Sequence, residues 1–238
     1  MTSYTATGAS SADQHFQIIE FSLNQLGKPS GAPYVWEYDH FVRATLQVYL
    51  FSGYYLLLSS IGISDPYTQL TILRIVLGLA MFVVFNFLAF HYFINSSRKV
   101  LIFVLLLINF SWVLPYTRTL FSAEMMSSLF FFGTLLLYES KKEKCKGWWL
   151  PLLAGFLFSL AFYFRLQIAT ALLGFGIWLV FFEKRYYHIL PMTAGFGAGV
   201  FLNLLLDHGY YHEWIFTPYA YYHVNINEGR ATQFGTSS

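Results

Sequence analysis

LTILRIVLGLAMFVVFNFLAFHYFI, residues 70–94, runs from Leu70 to Ile94 with Arg74 as its one fixed charge. At a rise of 1.5 Å per residue such a run makes a helix of about 37 Å, enough to cross a hydrocarbon core of about 30 Å. The rest of the chain has the same character. Of its 238 residues, 56% are hydrophobic, 21% aromatic and 11% charged, less than half of the roughly 25% charge of a soluble domain. So few charges cannot supply the polar shell that a water-soluble core of this size needs. The net charge of +2 is too small for a nucleic-acid partner, and the lone Cys145 has no disulfide partner. Residues 1–17 contain neither the basic region nor the apolar stretch of a signal peptide, so insertion depends on later segments.

Further apolar runs extend over Val100 to Pro115, Leu120 to Tyr138, Trp148 to Phe164, Leu166 to Phe182 and Ile189 to Leu206. With the first they predict an all-α, polytopic transmembrane helical bundle of about six spans. The earlier run from Ala44 to Ile63 carries Gln47, Tyr49, Ser52, Tyr54, Tyr55, Ser59 and Ser60. It could span, but its tyrosines and serines better suit a helix lying at the membrane surface. The expected organisation is therefore a surface loop with an interfacial helix over 1–69, a bundle over 70–206 and an aromatic loop over 207–238.

Basic residues orient the bundle, because lysine and arginine beside short loops stay on the cytoplasmic side. Arg98 and Lys99, then Lys141, Lys142, Lys144 and Lys146, then Lys184 and Arg185 fall at every second loop. That places them in the cytoplasm, and the Asp65-Pro66 turn, Arg118, Arg165 and everything after Leu206 on the other face. Arg43, Arg74, Arg118 and Arg165 then gather toward the outer boundary, where a guanidinium fork suits a lipid phosphate. Snorkelling at helix ends is the plainer role for such residues. Arg74 is set apart by lying inside an apolar run, where a charge is costly enough to suggest function.

The order DQHFQ near the start, then WEYDHFVRATLQ, YTRTLFSAEM, FRLQIA and WIFTPYAYYHVNINEG resembles glycosyltransferase family 22, multi-pass mannosyltransferases of GT-C architecture, in a bacterial-type form. The resemblance covers essentially the whole chain. The family's His-Pro-Asp-Glu motif followed by Phe-Gln is matched at Asp13, Phe16 and Gln17; Ser11 and Ala12 stand for the His-Pro, and Gln14 for the Glu. Family members begin with a span ahead of the aspartate loop and continue well beyond the equivalent of TQFGTSS, so the resemblance implies the N-terminal half of a larger enzyme.

The resemblance further implies transfer, with inversion, from a polyprenyl- or dolichyl-phosphate sugar to a glycolipid acceptor on the non-cytoplasmic face of a bacterial inner membrane or the endoplasmic reticulum. Asp13 would be the general base. Gln14, His15 and Gln17 would position hydroxyls, and Arg74, Arg118 and Arg165 would hold the donor phosphate. A carboxylate aimed at a sugar hydroxyl removes its proton without a metal or other cofactor, and a phosphate leaving group needs charge stabilisation rather than protonation. Asp13 with His15, like Asp207, His208, His212 and Glu213, could hold a divalent ion, but neither group matches an established zinc spacing. The aromatic tail reads as an interfacial belt, and Asn86 and His91 as hydrogen-bonding partners for neighbouring helices. The alternative class is a multi-pass transporter or lipid flippase, for which Gly-rich runs such as LLGFGIWLV would pack closely. A transporter would gather its charges at mid-membrane rather than at one surface.

Overall fold

The computed structural model describes residues 15–28, 36–111, 113–117, 119–144 and 147–229, and every regular element among them is helical. A π-helical turn, His15–Glu20, runs into α1 (Phe21–Gln25), and α2 (Trp36–Asp39) precedes α3 (Leu46–Ser60). The long α4 (Pro66–Phe93) is followed by α5 (Arg98–Phe110), the short α6 (Val113–Thr117) and α7 (Ala123–Lys141). Then come α8 (Trp149–Phe164), α9 (Ala169–Phe181), α10 (Ile189–Tyr211) and α11 (Thr217–Tyr222), with a closing π-helical turn, His223–Asn227.

Helix starts follow from local chemistry. The Asp65 carboxylate accepts from the Thr68 backbone N–H at 2.7 Å, with Pro66 in the first helical position where a missing N–H costs nothing. The Thr68 hydroxyl also donates to that carboxylate, at 2.6 Å, and this bond, with the one from the Thr68 N–H, holds the Asp65 carboxyl below its ordinary value. Ser97 and Ser122 cap α5 and α7 in the same way.

Two segments, Pro66–Phe93 and Tyr186–Tyr211, are long and apolar enough to cross a membrane. The helices Trp149–Phe164 and Leu166–Phe181 are apolar but shorter. The sequence runs thus become helices, while length and composition qualify two of them as spans. The run expected over Val100 to Pro115 breaks. Helix α5 ends at Ser111, whose backbone is extended (φ −61, ψ 139). A continuous helix through Pro115 would leave the Ser111 carbonyl without its donor and against the ring.

Helices α8 and α10 run parallel in close contact, and glycine makes the approach possible. A Cβ on Gly155 would lie 1.9 Å from the Met192 carbonyl oxygen, and one on Gly195 would lie 1.9 Å from that of Leu152. Small residues at four-residue spacing let backbones approach where lipid offers no hydrophobic drive to association. Asn86 and Asn109 exchange amide hydrogen bonds at 3.2 and 2.9 Å between α4 and α5. His91 Nε2 stands 3.8 Å from Glu139 on α7. Helix α3 turns Ser52 toward Gln25 and Tyr54 toward the Gln69 carbonyl, so these polar groups of the expected surface helix are spent on the protein.

One end of the helical array is tied by charge. Lys142 meets Glu139 at 3.0 Å and Glu183 at 2.8 Å, Arg185 pairs with Glu143 and lies 3.4 Å from Glu183, and the Tyr138 hydroxyl meets His188 Nδ1 at 2.6 Å. Burial works against the Lys142 ammonium, but its hydrogen bonds to Glu183 and Glu139 outweigh that and hold its pKa above the ordinary lysine value. The basic loops 141–144 and 184–185 therefore share one end, as their spacing suggested. Arg165, Asp207 and Thr217 lie at the other.

Candidate functional site

The predicted catalytic residue Asp13, with Gln14 and Arg118, lies outside the described residues. His15 and Gln17 fall on the turn His15–Glu20. Its Ile18 is buried in one cluster with Phe51 of α3, Leu73 and Leu77 of α4, Phe121 and Met125 around the start of α7, and Phe164 at the end of α8. These residues neighbour Gln17, Arg74 and Arg165 in the chain. The fold thus brings together the segments of three predicted site residues, although they are up to 148 positions apart (165 − 17) in sequence. Arg74 itself is 1% exposed on the inward side of α4, beside Leu73.

Arg165 occupies the C-cap of α8, where the backbone turns extended (φ −151, ψ 112). Its Nη2 lies 2.9 Å from Glu124 Oε1 in the first turn of α7. Arg43, in the loop before α3, makes a two-pronged contact with Glu37, Nε to Oε2 at 2.9 Å and Nη2 to Oε1 at 2.8 Å. Arg43 thus holds a carboxylate with the fork that a phosphate would use, and Arg165 holds one by a single contact. They also line one narrow cleft, walled by residues 42–44, 162–167 and 217, 218 and 221. It holds about 30 Å³, room for a water rather than a sugar. Gln167 Nε2 reaches the Tyr221 hydroxyl at 3.2 Å across it.

Phe162 walls this cleft and also an apolar groove of about 670 Å³ between α8, α9 and α10, reaching from Gly155 and Met192 to Phe162 and Ala169. A cleft lined by Arg43 and Arg165 therefore adjoins an apolar trough through a shared side chain.

Sequence reasoning missed what holds the cleft. Asp207, weighed only as a metal ligand, is 1% exposed and accepts from the Thr45 backbone N–H at 3.0 Å, the Thr45 hydroxyl at 2.8 Å and the Thr217 hydroxyl at 2.9 Å. His208 instead stacks on Trp214 at 4.2 Å, so the two neighbours serve different contacts. No group of three or more His, Cys, Asp or Glu side chains suited to a metal occurs among the described residues. The signal for Asp207 was available: a carboxylate in the last turn of an apolar helix is costly without dedicated donors. Thr45 and Thr217 gave none. In the tail, Trp214, Tyr219, Tyr222 and Ile226 are exposed while Thr217, Pro218 and Val224 are buried, so it presents one ringed outer side and one packed side.

Among the described residues the chain is all-helical, with two helices long and apolar enough to cross a membrane and an arginine-lined cleft at one end. The chain belongs to the Alg9-like mannosyltransferase family, whose model matches residues 1–238, and the expected family 22 resemblance is thereby established. It is a glycosyltransferase by that membership. No curated protein and no solved structure matches it.

Proposed function

We propose that the protein is an integral membrane, multi-pass mannosyltransferase that moves a sugar from a polyprenyl- or dolichyl-phosphate donor to a glycolipid acceptor with inversion. The family supports the class of reaction. The observation that carries the donor reading is the junction at Phe162, where an arginine-lined cleft opens beside an apolar groove. An amphiphile with an anionic head and a long hydrocarbon tail suits such a junction, its phosphate displacing Glu124 from Arg165 as the water-sized cleft opens and its tail lying between α8, α9 and α10. Arg118 and Arg74 would add positive charge to the developing phosphate leaving group.

Asp13 serves as general base, taking the proton of the acceptor hydroxyl as that oxygen attacks the anomeric carbon; the sugar–phosphate bond breaks and the electron pair leaves with the phosphate. Gln14, His15 and Gln17 orient the sugar hydroxyls. The reaction needs neither a metal nor another cofactor. Six helices cross the membrane with the lysine loops in the cytoplasm, the 1–69 and 207–238 segments gathered on the opposite face, and the bundle 70–206 between them. The transporter reading is less well supported, because, Arg74 aside, the carboxylates and arginines of the helices stand at their ends rather than midway.

The test is a transfer assay on membranes containing the protein, with radiolabelled polyprenyl-phosphate mannose and a glycolipid extract. Label should appear in the glycolipid fraction. Movement of the labelled donor across the bilayer without transfer would favour the flippase instead.

A further inference from the structure

Asp207 engages two of the cleft's three walls through opposite oxygens. Oδ1 accepts the backbone N–H of Thr45 at 3.0 Å and its hydroxyl at 2.8 Å, and Oδ2 accepts the hydroxyl of Thr217 at 2.9 Å. Thr45 directly follows the wall at 42–44, and Thr217 begins the wall at 217–221. Four residues on, along the same helical face, the Tyr211 hydroxyl donates to the Arg43 carbonyl oxygen at 2.8 Å. The last turns of α10 thus hold the Arg43 loop by its main chain at two points. The third wall, at the end of α8, is locked to α10 by the glycine packing, with the Tyr163 hydroxyl reaching the Val200 carbonyl oxygen at 3.4 Å.

Packing alone does not require a carboxylate here. Burying an ion is expensive even with partners, and an apolar side chain of similar volume often stabilises a fold as well or better. What the carboxylate adds is direction. Its two oxygens accept from two segments that are 172 residues apart (217 − 45) and fix the distance between them. An amide has one acceptor oxygen and would have to turn its NH₂ toward one of the two threonines.

We propose that Asp207 is a positioning residue for glycosyl transfer: it clamps the Arg43 loop and the Thr217 segment to α10 so that Arg43 and Arg165 face one cleft. This rests on reading that cleft as the donor-phosphate site. Asp207 does not touch the substrate. It acts through the two threonines.

The test compares Thr217→Val, which is isosteric but cannot donate, with Thr217→Ser, which keeps the hydroxyl, alongside Asp207→Asn, in the membrane-embedded protein. Thr217→Val and Asp207→Asn should raise the donor KM about tenfold with kcat within about twofold of wild type, and Thr217→Ser should match wild type. Thr45→Val, which removes the other hydroxyl contact and leaves the amide, should shift KM in the same direction and stands in if Thr217→Val does not accumulate. An unchanged donor KM in the valine variants, a loss confined to kcat, or a serine variant as impaired as the valine one would overturn the proposal. Equilibrium binding of sugar-free polyprenyl phosphate gives a readout that needs no turnover. The valine variants should bind about tenfold more weakly and the serine variant as wild type does, and equal affinities would overturn the clamp. Absence of transfer by wild type, with this binding pattern intact, would count against the mannosyltransferase reading alone.

Discussion

Arg165 Nη2 and Glu124 Oε1 stand 2.9 Å apart, joining the C-cap of α8 to the first turn of α7. Glu124 keeps 56% of its side chain exposed, so the pair is solvent-screened and contributes less than about 1 kcal/mol. Such a carboxylate can yield to a phosphate. Arg165→Lys keeps the charge and loses the fork, and should raise the donor KM about tenfold. Glu124→Gln should leave the thermal midpoint within a few degrees and donor affinity equal or higher. Unchanged donor kinetics in Arg165→Lys would return this arginine to a snorkelling role.

The α8–α10 contact has a sharp steric test. A methyl at Gly195 would lie 1.9 Å from the Leu152 carbonyl oxygen, whereas nothing lies within 4 Å of a Cβ at Gly197. Gly195→Ala should cost about 1–3 kcal/mol or more, since backbone and not a flexible side chain must move. Gly197→Ala should be neutral or slightly stabilising. Thermal unfolding of the two variants in detergent, followed by size-exclusion, separates them, and equal midpoints would mean that the helices do not approach this closely.

Lys142 lies between Glu139, 4% exposed, and Glu183. Lys142→Met strands a buried carboxylate and should cost about 3 kcal/mol, part of it recovered by adding Glu139→Gln, which removes the orphaned charge. Because the folded-state pKa of Lys142 is raised above 10.5, its contribution is complete below the unfolded amine's value and is lost as pH climbs through the folded one. Stability of wild type should therefore fall more steeply above about pH 10.5 than that of Lys142→Met. Parallel pH profiles would contradict the pairing.

The helices were legible because long apolar runs declare themselves. Leu70 to Ile94 became Pro66–Phe93, and Trp148 to Phe164 became Trp149–Phe164. The break at Ser111 was also written in the chain, four residues before Pro115, but the hydropathy of the run concealed it. Spanning was less legible. Helix α7 carries Glu124, Glu139 and Lys141, and α5 is only Arg98–Phe110, so neither qualifies by length and composition. Asn86 was expected to meet a neighbouring helix and does so at Asn109, since an amide among aliphatic residues has few alternatives. The partners of the arginines were not readable. Glu124 and Arg165 are 41 residues apart (165 − 124), and only the fold chooses between Glu124 and other carboxylates. Asp207 was given no role for a related reason: in sequence it was weighed with His208, His212 and Glu213 as a metal ligand and matched no established spacing, and nothing there showed that its oxygens turn to Thr45 and Thr217.

Topology can be tested with single cysteines in a Cys145→Ser background. Exposed Glu213 and Ser140 lie at opposite ends of the helices. A cysteine at position 213 should react with a membrane-impermeant maleimide from the non-cytoplasmic side, and one at 140 should react only after permeabilisation. Labelling of 140 alone in sealed vesicles would invert the orientation.

The general base is the centre of the account, and Asp13→Asn tests it most directly. The amide is nearly isosteric, so accumulation and donor binding should persist, but it cannot take the acceptor's proton at neutral pH. Transfer from labelled polyprenyl-phosphate mannose to membrane glycolipid should fall by roughly two to four orders of magnitude at matched protein level, while Gln14→Glu, which restores the residue usual at that motif position, should be tolerated. Transfer by Asp13→Asn at a rate close to wild type would contradict the assignment.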